Sequence, residues 1–308
     1  MGTFAETCFD IVTMEKRTFT INKVLRKGMN ILTFDIEDWY NCDFISEDFE
    51  WDKWEYRVDK TLIPLLNELD KRGLKGTFFC LGWLAEKHPD IIKEIDKRGH
   101  QIGCHSYQHE LAHRFTPEQF VEDTMKAKKL IEGVIGKEVE VFRAPGFSIT
   151  EQNPWAIDCL VEMGFKYDCS VFPAHHDYGG MPKYGASEPT ILKTKVGNTI
   201  KEFPINIHVV AGKNIVFSGG GFFRFFPYWL IKKWGKETDY MMTYFHPRDF
   251  DTGQPKVQGL PLVRQFKSYV GIKGNSKKWK KLLNDFEFVN VEKANKQIDW
   301  DKVRVIEL

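Results

Sequence analysis

The sequence predicts an α/β protein, a distorted (β/α) barrel with fewer than eight regular units. Three observations carry this. From about residue 30 onward, short apolar runs alternate with segments of helical periodicity, the pattern of parallel strands joined by crossover helices. Asp35, His105, Arg143, Asp168 and His246 each stand at or just past the end of an apolar run, and parallel α/β folds gather their active sites at that edge of the sheet. No Pro/Ser-rich linker interrupts the 308 residues, so one domain is the economical arrangement. Within it, residues 1–29 read as an N-terminal extension, 30–250 as the barrel and 251–308 as a C-terminal extension packed on the same domain.

Residues 30–34 read as the first strand. Val58, Leu62, Leu65, Leu66 and Leu69 recur at helical spacing, and Gly73 follows as a helix-ending glycine would. Residues 76–81 form the second strand. The tetrapeptide Asp70-Lys71-Arg72-Gly73 returns as Asp96-Lys97-Arg98-Gly99, each time before a short β-like run, and the third strand, 100–104, leads directly into His105. Thr116-Pro117-Glu118-Gln119 has the capping hydroxyl, first-turn proline and Gln of a helix start, with the helix ending near Val134. A strand at 139–142, a helix opened by Asn153-Pro154 and closed by Gly164, and a run into Asp168 follow. Beyond Ser170 the pattern loosens into a long loop around His175 and His176. A strand at 201–205, a helix at 227–234, a strand at 241–245, a basic helical tail from Lys277 and a late strand at 286–289 complete the reading. The apolar, glycine-interrupted stretch 216–231 reads as a loop and helix packed on the barrel, with a substrate-facing or membrane-touching lip as the alternative.

Composition excludes several functions. With 44 basic against 43 acidic residues, nothing draws the chain to nucleic acid. A hydrophobic content of 42% with 14% aromatics is that of a folded chain, and its nine Trp and ten Tyr suit a handler of sugars or other flat polar ligands. The six cysteines, Cys8, Cys42, Cys80, Cys104, Cys159 and Cys169, include no CxxC pair, which favours reduced thiols. Charged residues interrupt the first 30 positions, and no window of 18 residues is uninterruptedly apolar. Neither a signal peptide nor a membrane span is expected, and the expected location is the cytoplasm, at most peripheral to a membrane.

The chemistry concentrates in two segments. In His105-Ser106-Tyr107-Gln108-His109, two imidazoles four residues apart can be aimed at one ion by a helical turn or a tight loop. A carboxylate from the acidic cluster Asp35-Ile36-Glu37-Asp38 would complete a triad with open coordination positions, as a catalytic metal requires. Such a donor set suits zinc, and also cobalt, nickel or iron. His113 makes a second HxxxH pair with His109 and reads as lying behind the site or in solvent. His175 and His176 read as substrate-side or incidental, and His88 and His208 as structural.

These segments fall into five ordered motifs: residues 33–40 around Asp35-Ile36-Glu37-Asp38, His105 to His109, Arg143-Ala144-Pro145-Gly146, Tyr167-Asp168-Cys169-Ser170 and Tyr244-Phe245-His246-Pro247. Over about residues 30–250 the chain resembles the polysaccharide deacetylases with the NodB homology domain, a carbohydrate esterase family, and within it the subgroup associated with exopolysaccharide and surface-glycan biosynthesis. The resemblance implies a TIM-like barrel and a metal-dependent hydrolase. Its substrate would be an N-acetylhexosamine unit of a glycan, or of its lipid-linked or nucleotide-linked precursor, and its cofactor one divalent ion, zinc foremost. It implies Asp35 as general base, His246 as general acid, Asp168 as the group that orients and raises His246, and Arg143 as the holder of Asp35. The Gly146 N–H would be the oxyanion donor.

Two positions depart from the family pattern. The usual adjacent aspartates are separated by Ile36 and Glu37, so either Glu37 or Asp38 could be the metal ligand; strand alternation places Glu37 on the face of Asp35, while carboxylate type favours Asp38. The aromatic residue usual before the third-motif glycine is missing, so a sugar-stacking contact would come from Phe147 or from another loop. The alternatives are an amidase of the same fold acting on a small non-sugar amide, and a non-catalytic glycan-binding module. Binding alone needs neither base nor acid, which argues against the latter.

Overall fold

The structure is a computed structural model that describes residues 28–41 and 50–308. Residues 1–27 of the expected N-terminal extension, with Cys8, and also Cys42, lie outside the described residues. The first apolar run forms two short strands in line, β1 (Met29–Ile31) and β2 (Thr33–Ile36). The sheet then proceeds in parallel from β2 through β3 (Thr77–Cys80), β4 (Gln101–Cys104) and β5 (Val141–Phe142) to β6 (Tyr167–Asp168). Here the regular alternation ends. β7 (Thr190–Lys193) folds back antiparallel on β8 (Thr199–Glu202), and β8 takes the parallel place beside β6. β9 (His208–Val210) and β10 (Lys213–Ile215) form a separate hairpin. β11 (Tyr240–Met242) returns to pair in parallel with β1, extended by a bridge from Phe34 to Phe245, and β12 (Val305–Glu307) lies parallel to β7 at the outer edge. Asn206 Oδ1 accepts the Met242 N–H at 3.0 Å, and Gly219 bridges Tyr244. The gap between β8 and β11 is thus spanned by irregular backbone, as expected of a barrel with fewer than eight regular units.

The crossovers are helical where the periodicity predicts it. α1 (Val58–Arg72) buries Leu62, Leu65, Leu66 and Leu69 and ends at Gly73 with φ +63°, a left-handed cap that glycine adopts without Cβ strain. Gly99 has φ +74° at the matching place in the echoed tetrapeptide. Between β3 and β4 the chain forms α2 (Gly82–Lys87) and α3 (Pro89–Lys97), for which the sequence offered only the closing glycine. α4 (Pro117–Ile135) begins with the expected capping box: Thr116 Oγ1 accepts the Gln119 N–H at 3.3 Å, and Gln119 Oε1 accepts the Thr116 N–H at 2.9 Å. α5 (Trp155–Glu162) precedes β6. Later come α6 (Gly220–Phe225), α7 (Tyr228–Glu237), α8 (Leu262–Tyr269), α9 (Ile272–Asp285) and α10 (Val291–Asn295). The late strand expected at 286–289 reduces to a single bridge between Val289 and Ile31.

Two apolar layers follow from the pleat. Phe78 faces the outer layer with Leu62, Leu66 and Ile92, while Phe79 faces the barrel interior with Val141, Phe203 and Met242, because successive strand residues point to opposite faces. Burying each ring completely stabilises the fold by about 2–3 kcal/mol. Residues past 250 share this core: Trp279 of α9 is buried against Phe34 and Phe250 at ring separations of 6.2 and 5.6 Å.

Candidate active site

Asp35 lies near the C-terminal end of β2 and Glu37 one residue beyond it. Alternation places both side chains on one side of the strand, and both are buried. His105 follows β4 directly, its N–H donating to the Cys80 carbonyl at 2.9 Å. Its Nδ1 lies 2.7 Å from the Arg143 carbonyl oxygen. A carbonyl only accepts, so Nδ1 carries the hydrogen and Nε2 keeps its lone pair, the tautomer a metal ligand needs. Burial pushes the His105 pKa down to about 4, leaving the ring neutral.

The segment from His105 to His109 is a tight loop. Ser106 and His109 have φ +63° and +61°, and Ser106 Oγ accepts the His109 N–H at 3.0 Å. Left-handed backbone at non-glycine residues costs of order 1 kcal/mol each and persists where surrounding contacts impose it. The turn sets His109 Nε2 2.7 Å from Glu37 Oε2. One donor atom each from Glu37, His105 and His109 lie within 4.8 Å of one another. Burial raises the Glu37 pKa, but His109, His246 and His105 outweigh it and bring the group to about 2. A buried carboxylate with two imidazole nitrogens, one bearing a demonstrably free lone pair, is a donor set that fits a divalent ion.

Beside this cluster stands an ion pair. Arg143, wholly buried, donates from Nη1 to Asp35 Oδ1 at 2.7 Å and to Thr33 Oγ1 at 2.8 Å, and from Nε to the Cys169 carbonyl at 3.1 Å. Its guanidinium carbon sits 4.2 Å from the Phe79 ring centroid. Opposite, His246 begins the 3₁₀ turn Pro247–Phe250. Asp249 Oδ2 accepts both the His246 backbone N–H at 2.9 Å and Nδ1–H at 3.0 Å. Nε2 thereby faces Asp35 Oδ2 and Glu37 Oε1, each at 3.7 Å. Burial alone would lower the His246 pKa, but Asp249, Glu37 and Asp35 raise it to about 9. Arg224 holds Asp249 from behind, Nε to Oδ1 at 2.9 Å.

Three expected roles are corrected by this geometry. Asp38 is no member of the metal cluster: its Oδ2 accepts the N–H groups of Arg57 at 2.5 Å and Val58 at 3.2 Å. The next pleat position turns it away from Glu37, and it caps α1, whose own N-cap, Arg57, supplies no side-chain bond. Asp168 is not the partner of His246. It accepts from Ser170 Oγ at 2.5 Å and neighbours Glu202, and burial raises both carboxyls, which favours a proton between them. Ser170 Oγ in turn accepts the Ala144 N–H at 2.8 Å, so the pair braces the loop behind Arg143. Phe147 is no stacking platform, since its ring is buried among Phe172, Tyr244 and His176.

Gly146 keeps its place at the rim with φ +59°, where an added Cβ would lie 2.9 Å from both Leu111 Cδ2 and Tyr178 Cβ. His176 sits in the same wall, its pKa lowered to about 4 by burial. His113 and His175 are exposed. His88 stacks on Tyr56 at 3.8 Å and His208 on Trp234 at 5.2 Å, as structural histidines do. Sequence reading missed Asp249, Arg224 and Glu202. The spacing of Asp249 three residues after His246, across a proline, was the available signal for the first.

Comparison with known proteins agrees with this architecture. Residues 22–167 match the family profile described as polysaccharide deacetylase, and residues 169–296 match a domain of unknown function, DUF3473. A peptidoglycan-N-acetylglucosamine deacetylase of Bacillus cereus is 32% identical over 124 residues, 40% of this chain and 45% of that protein. A peptidoglycan deacetylase of Helicobacter pylori is 32% identical over 117 residues, 38% of either chain. The matches therefore span less than half the length of these relatives. A crystal structure from Mycobacterium smegmatis, named for the polysaccharide deacetylases, superposes with a TM-score of 0.63 over 92% of this chain and 94% of that one at 20% identity, a likeness of fold. The matched region, residues 22–167, is thus a polysaccharide deacetylase domain that carries Asp35, Glu37, His105, His109 and Arg143, while His246 and Asp249 lie in the region matched by DUF3473.

Proposed function

We propose that the protein is a metal-dependent N-deacetylase acting on an N-acetylhexosamine unit of a glycan or of a lipid-linked or nucleotide-linked precursor. The observation that carries this reading is the convergence of three groups: the ligand set Glu37, His105 and His109, the Asp35–Arg143 ion pair, and His246 held by Asp249. Glu37, His105 and His109 would hold a divalent cation, zinc foremost with cobalt, nickel or iron as alternatives, which would supply Lewis acidity to the amide carbonyl and to water.

The protein's own groups do the rest. Asp35, positioned by Arg143, accepts a proton from the attacking water. His246, protonated through neutral pH by its carboxylate neighbours, donates the Nε2 proton to the departing sugar nitrogen as the C–N bond breaks. The products are acetate and a free amine. Asp249 holds the Nδ1–H and so keeps Nε2 directed at Asp35 and Glu37, and the Gly146 N–H is the donor offered to the developing oxyanion. A non-catalytic module would have no use for a base and an acid 3.7 Å apart.

The test combines metal analysis of the purified protein with acetate release from defined N-acetylated oligosaccharides. Stoichiometric metal and acetate release abolished by chelation are expected. A metal-replete protein that releases acetate from small acyclic amides and from none of the oligosaccharides would overturn the substrate assignment.

A further inference from the structure

We propose that α6, the first turn of α7 and α8 together form a docking surface for an anionic lipid bilayer. Six apolar side chains project from these helices: Phe222, Phe225, Trp229, Leu262, Val263 and Phe266. Leu262 is 83% exposed, Val263 68% and Trp229 67%. α6 and α8 meet, since Phe225 and Phe266 lie 6.0 Å apart ring to ring and the Gly221 position abuts the Lys267 carbonyl, and Trp229 follows Phe225 by four residues along the chain. On α8, the residues at i, i+1 and i+4 face outward, and Ser268 is its buried residue, the reverse of a helix that serves the core. Contiguous exposed apolar surface of this kind marks a contact.

Charge selects the occupant. All 43 acidic residues lie outside segments 203–236 and 252–284, which carry the patch and hold five and eight basic residues respectively. Some of these cations face inward: Arg224 bonds to the carbonyls that end α8, and Lys278 to those that end α6. Others border the patch. Lys256 is exposed beside Val257, whose N–H donates to Tyr269 Oη at the end of α8, and exposed Lys273 follows Gly271, which abuts the Arg224 carbonyl. Trp and Phe with aliphatic side chains and a lysine border is the composition of an interfacial membrane contact, and although Lys267 pairs with Asp177 and Lys232 with Asp285, the basic excess of the two segments matches an anionic headgroup layer.

The patch also adjoins the site. Arg264 donates to Tyr178 Oη, and Lys267 Nζ lies 2.8 Å from Asp177 Oδ2; Tyr178 flanks Gly146. Docking here would hold the catalytic groove at the bilayer surface. The inference stands on the patch and its charge, independently of the reaction assigned to the site.

The experiment is flotation of the full chain with phosphatidylcholine vesicles, with and without phosphatidylglycerol, at low and high salt. Salt-sensitive binding to the anionic vesicles alone is expected. The double variant L262S/V263S should lose on the order of ten-fold or more in partitioning, and K256Q and K273Q roughly five-fold each. Both residue pairs are exposed, and unchanged thermal melting with unchanged activity on a soluble substrate separates lost docking from lost fold. Failure to float with anionic vesicles at low salt, binding unaltered by L262S/V263S, or a dimer in sedimentation that this variant dissolves would overturn the proposal, the last by assigning the patch to a second copy.

Discussion

Asp249 Oδ2 lies 3.0 Å from His246 Nδ1, and the two residues are only three apart in the chain. His246, the proposed acid, is therefore oriented by its own turn, with Arg224 pinning the far carboxylate oxygen. This local arrangement takes the place of the long-range Asp168 contact implied by the fourth motif.

Asp249→Asn should move the alkaline limb of the rate profile. His246 is held at about 9 against an ordinary 6.5; the imidazolium is the favoured form, and activity that needs it falls as pH rises through the pKa. Removing the Asp249 charge lowers that pKa and moves the limb to lower pH, with a loss on the order of tenfold near pH 8. Asp168→Asn should leave the limb in place. Imidazole titration by NMR alongside kcat/KM profiles decides between them.

Glu37→Ala and His105→Ala should each lose metal, because no water replaces a protein ligand at equal affinity. Asp38→Ala should retain it. Its cost should appear instead as about 1–2 kcal/mol of stability, since the N–H groups of Arg57 and Val58 lose their acceptor. Metal content and urea unfolding of the three variants give opposite patterns for ligand and cap.

The Asp168–Glu202 pair makes stability depend on pH. Both carboxyls have raised folded-state values, so their contribution is complete below the ordinary carboxylate range and is lost as pH rises through the raised values. In Glu202→Gln, an amide donates to Asp168 without needing a shared proton. At about pH 8 this variant should be as stable as the parent or more stable by about 1 kcal/mol, with a flatter decline from acid to alkaline pH in urea unfolding.

Gly146→Ala tests the rim. Both the φ of +59° and the 2.9 Å approaches to Leu111 and Tyr178 oppose a Cβ, so a loss of about 1–3 kcal/mol is expected. Loop displacement should reduce kcat while metal content stays unchanged.

Much of this molecule was determined by sequence alone, because the determinants are local. Gly73 and Gly99 end helices through their own backbone freedom, Thr116 and Gln119 cap α4 within four residues, and apolar period sets β2 to β6 with Asp35, His105, Arg143 and His246 at one sheet edge. What tertiary structure decided is which polar group meets which. Whether Glu37 or Asp38 joins the histidines depends on where β2 stops being pleated, since one residue of register reverses the face. Whether Asp168 or Asp249 reaches His246 depends on how β6, β8 and the 3₁₀ turn are placed against one another. β7, the β9–β10 hairpin and β12 carry short runs whose pairing is chosen by distant neighbours. Pairwise contacts across such sequence distances have no period for a local pattern to carry.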